Sequence, residues 1–205
     1  MSLANSICLC IRNSLLFFLS ILDFLRSSMK ALISLVLIFT ITACSTSASA
    51  GLEPFKSTDG RYGFLYPTGW TRVAVDNGPV VVFHDLINSE ETLSLVISGL
   101  TNEVNLENLG TPEQVGDRVI NQLITSDDQN RSVKLVSSEE RESAGRVFYD
   151  LEYTIKYPNS ERHELATLVI NNGSLYTFAV GTDEKRWGKV KVLFSKVIDS
   201  FTLLI

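Results

Sequence analysis

A chain of 205 residues, 45% hydrophobic and 20% charged with a net charge of −5, is sized for one folded domain. Its acidity argues against a surface built to hold nucleic acid or to adsorb electrostatically to anionic lipid. The cysteines Cys8, Cys10 and Cys44 all lie in the N-terminal quarter. A disulfide framework, a zinc–cysteine cluster and a cysteine nucleophile are thereby excluded from the rest of the chain.

Residues 1–43 read as a signal region. Met29-Lys30 supplies a basic start, Ala31 to Phe39 an apolar stretch too short to span a bilayer comfortably, and Thr42-Ala43 the small residues of a cleavage site. Ile41-Thr42-Ala43-Cys44 resembles the lipobox of bacterial lipoproteins, so the signal peptide is expected over 29–43, with Cys44 as the lipidated first residue. The other reading is a generic cut near Ala48 or Ala50. Upstream, Leu15 to Leu25 is a second apolar run, interrupted by Asp23 and followed by Arg26. Translation is expected to start at Met29, the competing reading being a long form that inserts as a hydrophobic hairpin. Removing the leader takes away Arg12, Arg26, Lys30 and Asp23, which leaves the mature part at −7. A protein partner with a basic patch is the counterpart such a domain suggests.

Residues 44–54 are expected to be a lipidated N-terminus and flexible linker, because Ser45 to Gly51 are all small. Fully extended, that linker reaches about 25 Å, which keeps the domain close to the bilayer. The folded domain is expected over 55–205. Arg61 to Tyr66 reads as a strand closed by the Pro67-Thr68-Gly69 turn, with extended structure resuming from Trp70 to Val75. Asn77-Gly78-Pro79 turns the chain again, and Val80 to Phe83 and Thr92 to Leu100 follow as β-branched strands.

Thr111-Pro112-Glu113-Gln114 predicts a helix start, with Thr111 as N-cap, Pro112 in the first helical position and Gln114 completing a capping box. Val115, Val119, Ile120 and Leu123 form its apolar face, and the polar run from Ser126 to Asn130 ends it. From Phe148 to Tyr157 apolar and polar residues alternate, which predicts a strand with one face buried and one wet. His163 to Ile170 and Leu175 to Gly181 flank Asn171-Asn172-Gly173 as a hairpin. The last element starts near Asp183 or Glu184 and carries Trp187, Val190, Phe194, Val197, Ile198 and Phe201 on one face. Consecutive hairpins with one helix in the middle and one at the end give an α+β fold, an antiparallel sheet flanked by helices.

Catalytic options are few. His163-Glu164 opens like a zincin helix but lacks the second histidine and sits in a strand. There is no nucleophile elbow, phosphate-binding glycine loop or dinucleotide fingerprint, and Asp127 to Asn130 lacks the glycine and terminal glutamate of an EF-hand. An enzyme is not expected. His163 is the candidate site residue, because pairing of the flanking strands would bring Glu161, Glu164 and the pair Asp183-Glu184 toward it. Imidazole with carboxylates suits zinc or manganese, the other reading being a solvated histidine at a strand end. His84-Asp85 is a weaker candidate of the same kind. Trp70 and Trp187 read as core anchors.

Three ordered blocks carry a family resemblance: Gly63 to Trp70, Leu109 to Gly116, and Leu175-Tyr176 with Glu184 to Trp187. Together they resemble the PsbP family of photosystem II extrinsic proteins, over nearly the whole mature chain. The resemblance implies an α/β/α sandwich of the PsbP/Mog-like type. It also implies a non-catalytic role in assembling or stabilising the oxygen-evolving complex on the lumenal side of the thylakoid membrane. Photosystem II core subunits or assembly intermediates would be the partners, with a monomeric, lipid-anchored domain on the membrane and no nucleic acid. Calcium and chloride retention belong to the plant members, which carry an N-terminal segment ahead of the fold and dock through basic residues. The lipobox and acidic domain make this chain similar to the cyanobacterial lipoprotein branch instead. The resemblance further implies metal at His163 and Glu184, with Asp183 as the acidic neighbour. A lipoprotein that delivers or buffers zinc or manganese is the alternative function. A small-GTPase regulator of the similarly folded Ran-binding Mog family is disfavoured by the export signal.

Overall fold

Strands that are apolar on both faces need cover from two sides, and the central hairpin of this chain has that character. Ala166, Thr167, Leu168 and Val169 are buried in succession, although adjacent residues of a strand point to opposite faces. The structure, a computed structural model, describes residues 51–101, 105–125 and 131–204. The signal region, Cys44 and the acidic run Asp127 to Asn130 lie outside the described residues. No helix among the described residues is long and apolar enough to cross a membrane.

The strands are β1 (Leu52–Lys56), β2 (Tyr62–Pro67), β3 (Thr71–Val73), β4 (Val81–His84), β5 (Thr92–Gly99), β6 (Ser132–Ser143), β7 (Arg146–Lys156), β8 (Glu161–Asn171), β9 (Ser174–Asp183) and β10 (Thr202–Leu203). The helices are α1 (Leu106–Leu109), α2 (Pro112–Thr125) and α3 (Glu184–Asp199). A seven-stranded sheet runs β3-β4-β5-β9-β8-β7-β6, and a three-stranded sheet runs β1-β2-β10. Every pairing is antiparallel. The α+β class and the antiparallel arrangement expected from the hairpins are therefore what the chain adopts.

The faces of the large sheet hold separate cores. Phe64, Phe83, Phe178, Phe194, Phe201, Trp70 and Trp187 form an aromatic cluster beneath α3 and the small sheet. Phe178 and Phe201 stack at 4.9 Å, and Trp70 meets Phe194 edge-on at 5.9 Å. Under α1 and α2 lie Leu106, Val115, Tyr149, Leu151, Tyr153, Ile155, Ala166 and Leu168. Trp70 and Trp187 are core residues, as expected.

The predicted capping box at α2 forms in full. The Thr111 N–H donates to Gln114 Oε1 at 3.1 Å, and the Gln114 N–H donates to Thr111 Oγ1 at 3.3 Å. Helix α3 begins where expected, with the Asp183 side chain accepting from the Lys185 N–H at 2.8 Å. At the β8–β9 hairpin, Asn172 (φ 48°) and Gly173 (φ 68°) supply the two left-handed residues of a tight turn.

Four elements were not foreseen. Strand β1 begins at Leu52, inside the segment read as linker, and its pairing with β2 runs from Leu52↔Pro67 to Lys56↔Gly63. Strand β10 and helix α1 are too short to announce themselves. The long edge strand β6 hides its period behind a bulge between Leu135 and Ser137 and a charged run at Glu139, Glu140, Arg141 and Glu142. Those features also discourage edge-to-edge pairing. The outward face of β7, expected to be wet, is half covered, with Asp150, Glu152 and Thr154 of intermediate burial.

The β6–β7 turn places Ala144 at φ 50°, a left-handed conformation in which a Cβ meets the carbonyl oxygen. The side chain there is exposed, so nothing else depends on it. Ala144→Asn is expected to raise stability by about 0.5–1 kcal/mol in urea unfolding. An unchanged or lowered midpoint would show that the turn is not strained.

Candidate functional site

His163 sits three residues into β8, on the face that α3 covers, and register places it opposite Thr182 of β9. Strand β9 ends at Asp183, which caps α3, so the first turn of the helix begins directly after the strand that flanks His163. Glu184, the first helical residue, brings Oε2 to 2.6 Å from His163 Nδ1. One turn on, the Trp187 indole lies flat against the imidazole, with ring centroids 3.9 Å apart and planes 12° apart. A turn further, Lys191 reaches Glu152 of β7, its Nζ 3.1 and 3.3 Å from the two carboxylate oxygens and 5.4 Å from the Trp187 ring centroid. Glu152 completes the circuit, with Oε1 2.8 Å from His163 Nε2.

His163 is 5% exposed, so the reading of it as a solvated strand-end histidine does not hold. Both ring nitrogens face carboxylates. A neutral imidazole carries one N–H, whereas the imidazolium carries two and can donate to Glu184 and Glu152 at once. Burial pushes the Glu152 carboxyl up, but hydrogen bonds and positive charge from Lys191 and His163 more than offset this and hold it below the ordinary glutamate range.

The other predicted acids lie elsewhere. Asp183 is turned to the Lys185 amide as a cap. Glu164 points to the opposite face of β8, where it accepts from Tyr153 Oη at 2.7 Å and from Arg162 Nε at 2.6 Å. Glu161 lies in register with Lys156. His84 pairs in register with Thr71 and Thr92, while Asp85 accepts from the Ile87 N–H at 2.8 Å and from Asn88 Nδ2 at 2.7 Å, holding a turn. Sequence reading missed Glu152, which looked like a residue of the wet face, and Lys191, assigned to the solvated side of the helix. The signal available was helical spacing, since Glu184, Trp187 and Lys191 share one face of α3.

Where a metal could enter is limited by how the ring is used. One ion could take His163 Nδ1 together with Glu184, whose side chain is 40% exposed, while Glu152 sits on the far nitrogen and is held by Lys191. Among the described residues no group of three or more histidine, cysteine, aspartate or glutamate side chains is placed to hold a metal ion. The donor set is thus short of the three or four protein ligands of a closed zinc centre. Beside the node, a groove of about 160 Å³ is lined by Glu139, Asp150, Glu152, Ser195 and Asp199. Asp150 in that groove is held bidentate by Arg141, at 2.6 and 3.2 Å.

Because the folded Glu152 carboxyl is held below its unfolded value, it stabilises the fold above the unfolded value and ceases to do so as pH falls through the folded one. Glu152→Gln is expected to cost about 2 kcal/mol at neutral pH, where the charged hydrogen bonds are lost. That deficit shrinks on acidification below the ordinary glutamate range. Urea unfolding across pH checks it, and a deficit independent of pH would contradict the role given to Glu152.

The PsbP family model matches residues 50–203. The chain is 40% identical over 179 residues to CyanoP of Synechocystis, covering 85% of this chain and 95% of the relative. It is 34% identical over 171 residues to CyanoP of Thermosynechococcus vestitus, covering 81% and 93%. It is also 31% identical over 161 residues to the chloroplastic PsbP-like protein 1 of Arabidopsis thaliana, covering 78% and 68%. The solution structure of cyanobacterial PsbP (CyanoP) from Synechocystis superposes with a TM-score of 0.67 at 37% identity, covering 80% of this chain and 99% of that one. The family model spans most of the chain and the CyanoP relatives match it over nearly their whole length, so the chain belongs to the PsbP family.

Proposed function

We propose that this chain is a non-catalytic, lipid-anchored extrinsic protein of the thylakoid lumen that assists assembly or stabilisation of photosystem II and its oxygen-evolving complex. The observation that carries this reading is the match to CyanoP over the whole folded domain, in sequence and in structure. The lumenal address draws support from the chloroplastic PsbP-like protein 1 and from the photosynthetic NDH subunit of lumenal location 1 of Arabidopsis thaliana, 26% identical over 156 residues. Cys44 provides the anchor in this reading. The node at His163 fits a binding module: its histidine is buried and both ring nitrogens face carboxylates from neighbouring elements, which ties α3 to the sheet. A tagged chain solubilised from thylakoids is expected to co-purify with photosystem II core subunits or assembly intermediates. Recovery only with unrelated envelope complexes would contradict the proposal.

A second reading rests on the approach of His163 Nδ1 to Glu184 Oε2. It treats these two residues as ligands for zinc or manganese, in a protein that delivers or buffers the metal at the lumenal membrane surface. Asp183 could join them only by giving up the cap on α3. In calorimetric titration with zinc or manganese, this reading expects binding by the wild type to fall at least tenfold in His163→Ala. Equal weak affinity in both would remove it.

A further inference from the structure

The loop between β4 and β5 carries the two neighbouring side chains Leu86 and Ile87, 67% and 90% exposed. Isolated apolar side chains on a surface are ordinary, but an adjacent pair at the apex of a braced loop is not. The brace is visible in the hydrogen bonds. Asp85 accepts from the Ile87 N–H and Asn88 Nδ2, the Glu91 N–H donates to Asn88 O at 2.8 Å, and the Asp85 N–H donates to Glu91 O at 3.1 Å. From below, Arg162 donates to Glu90 O at 2.6 Å and bonds Thr92, while Arg186 of α3 pairs with the buried Glu91. The apex therefore satisfies much of its own backbone and holds two apolar side chains outward.

The position of this apex follows from register. Gly51, the first described residue, accepts at its carbonyl from the Thr68 N–H at 3.0 Å. Thr71, three residues on, lies opposite His84, and Leu86 follows two residues later. Chain geometry bounds the path from Gly51 to the apex at about 25 Å. The stretch from Ser45 to Gly51 has a comparable reach when extended. Gly51, where the tether joins the domain, thus lies within about 25 Å of the apex that carries Leu86 and Ile87.

We propose that Leu86 and Ile87 form a second membrane contact, a lipid-inserting wedge that seats the domain on the bilayer by its tethered end. The inference rests on the anchor at Cys44 for bringing the wedge within reach. Apolar insertion suits this chain, because the net charge of −7 over residues 44–205 opposes electrostatic adsorption to anionic lipid. Two side chains on a turn, with internal partners for the Asp85, Ile87 and Glu91 amides, match the requirements of an interfacial lipid layer better than those of a protein interface, which needs a broad complementary face.

The test uses the full acylated chain with Ile87→Cys carrying a polarity-sensitive fluorophore, bound to phosphatidylcholine vesicles that contain nitroxide-labelled lipid. The same label at Asn77→Cys, in the exposed loop between β3 and β4, is the reference. The expected result is a blue-shifted label at position 87, quenched at least threefold more than the label at 77. Equal quenching at the two positions overturns the wedge. So does a label at 87 that stays in water on pure lipid and becomes shielded only on protein-containing membranes, since the apex then docks a protein. Flotation of the Cys44→Ser chain alongside reports on the anchor separately: flotation equal to the acylated chain contradicts the tether, while quenching at 87 still decides the wedge.

Discussion

The constraint that organises this molecule is the two-sided burial of β8 and β9. A sheet whose middle strands are apolar on both faces cannot leave either face in water, so the chain must return from both sides to cover it. Helices α1 and α2 cover one face, and α3 with the small sheet covers the other. Aromatic side chains fill the second core, with Phe178 fully buried between Phe64 and Phe201. Burial of side chains this large contributes about 2–3 kcal/mol apiece before entropy is counted, which makes the seating of α3 the decisive packing event.

The polar node stands where that seating begins. Helix α3 starts directly after β9, so its first turn falls over His163 of the neighbouring strand. A buried imidazole stacked on Trp187, with Glu184 on one nitrogen and Glu152 on the other, ties helix, β8 and β7 together at one point. Buried ion pairs contribute less to net stability than their geometry suggests, since desolvation opposes attraction. Their directionality is what the hydrophobic core lacks, and here it sets the rotation of α3 about its axis. Glu184 at the helix start is also favoured by the helix dipole, which lends its proton acceptor a structural use apart from any ligand.

How much of this was legible in the chain follows from the range of the interactions. The β8–β9 hairpin, the Thr111–Gln114 capping box and the amphipathic α3 are local, and their residues state them directly. Strand β10 was not, because its two residues are held by pairing Thr202 with Gly63 and Leu203 with Tyr62, far away in sequence. Strand β6 was obscured by its bulge. His163 stood out by residue type, and Glu184 came with it, but Glu152 depended on the β7–β8 register, which no local pattern contains. Asp183 illustrates a different limit: a carboxylate just before a helix serves equally well as cap or as ligand, and only the Lys185 amide at 2.8 Å assigns it to the cap.

The chain belongs to the PsbP family, and the role proposed for it is that of a protein that recognises a neighbour at the lumenal membrane surface and performs no chemistry. The most direct measurement is crosslinking in intact thylakoid membranes, followed by mass-spectrometric identification of the residues joined. The account predicts links from this chain to lumen-exposed segments of photosystem II subunits or their assembly intermediates. Links confined to cytosolic or unrelated envelope proteins would contradict it.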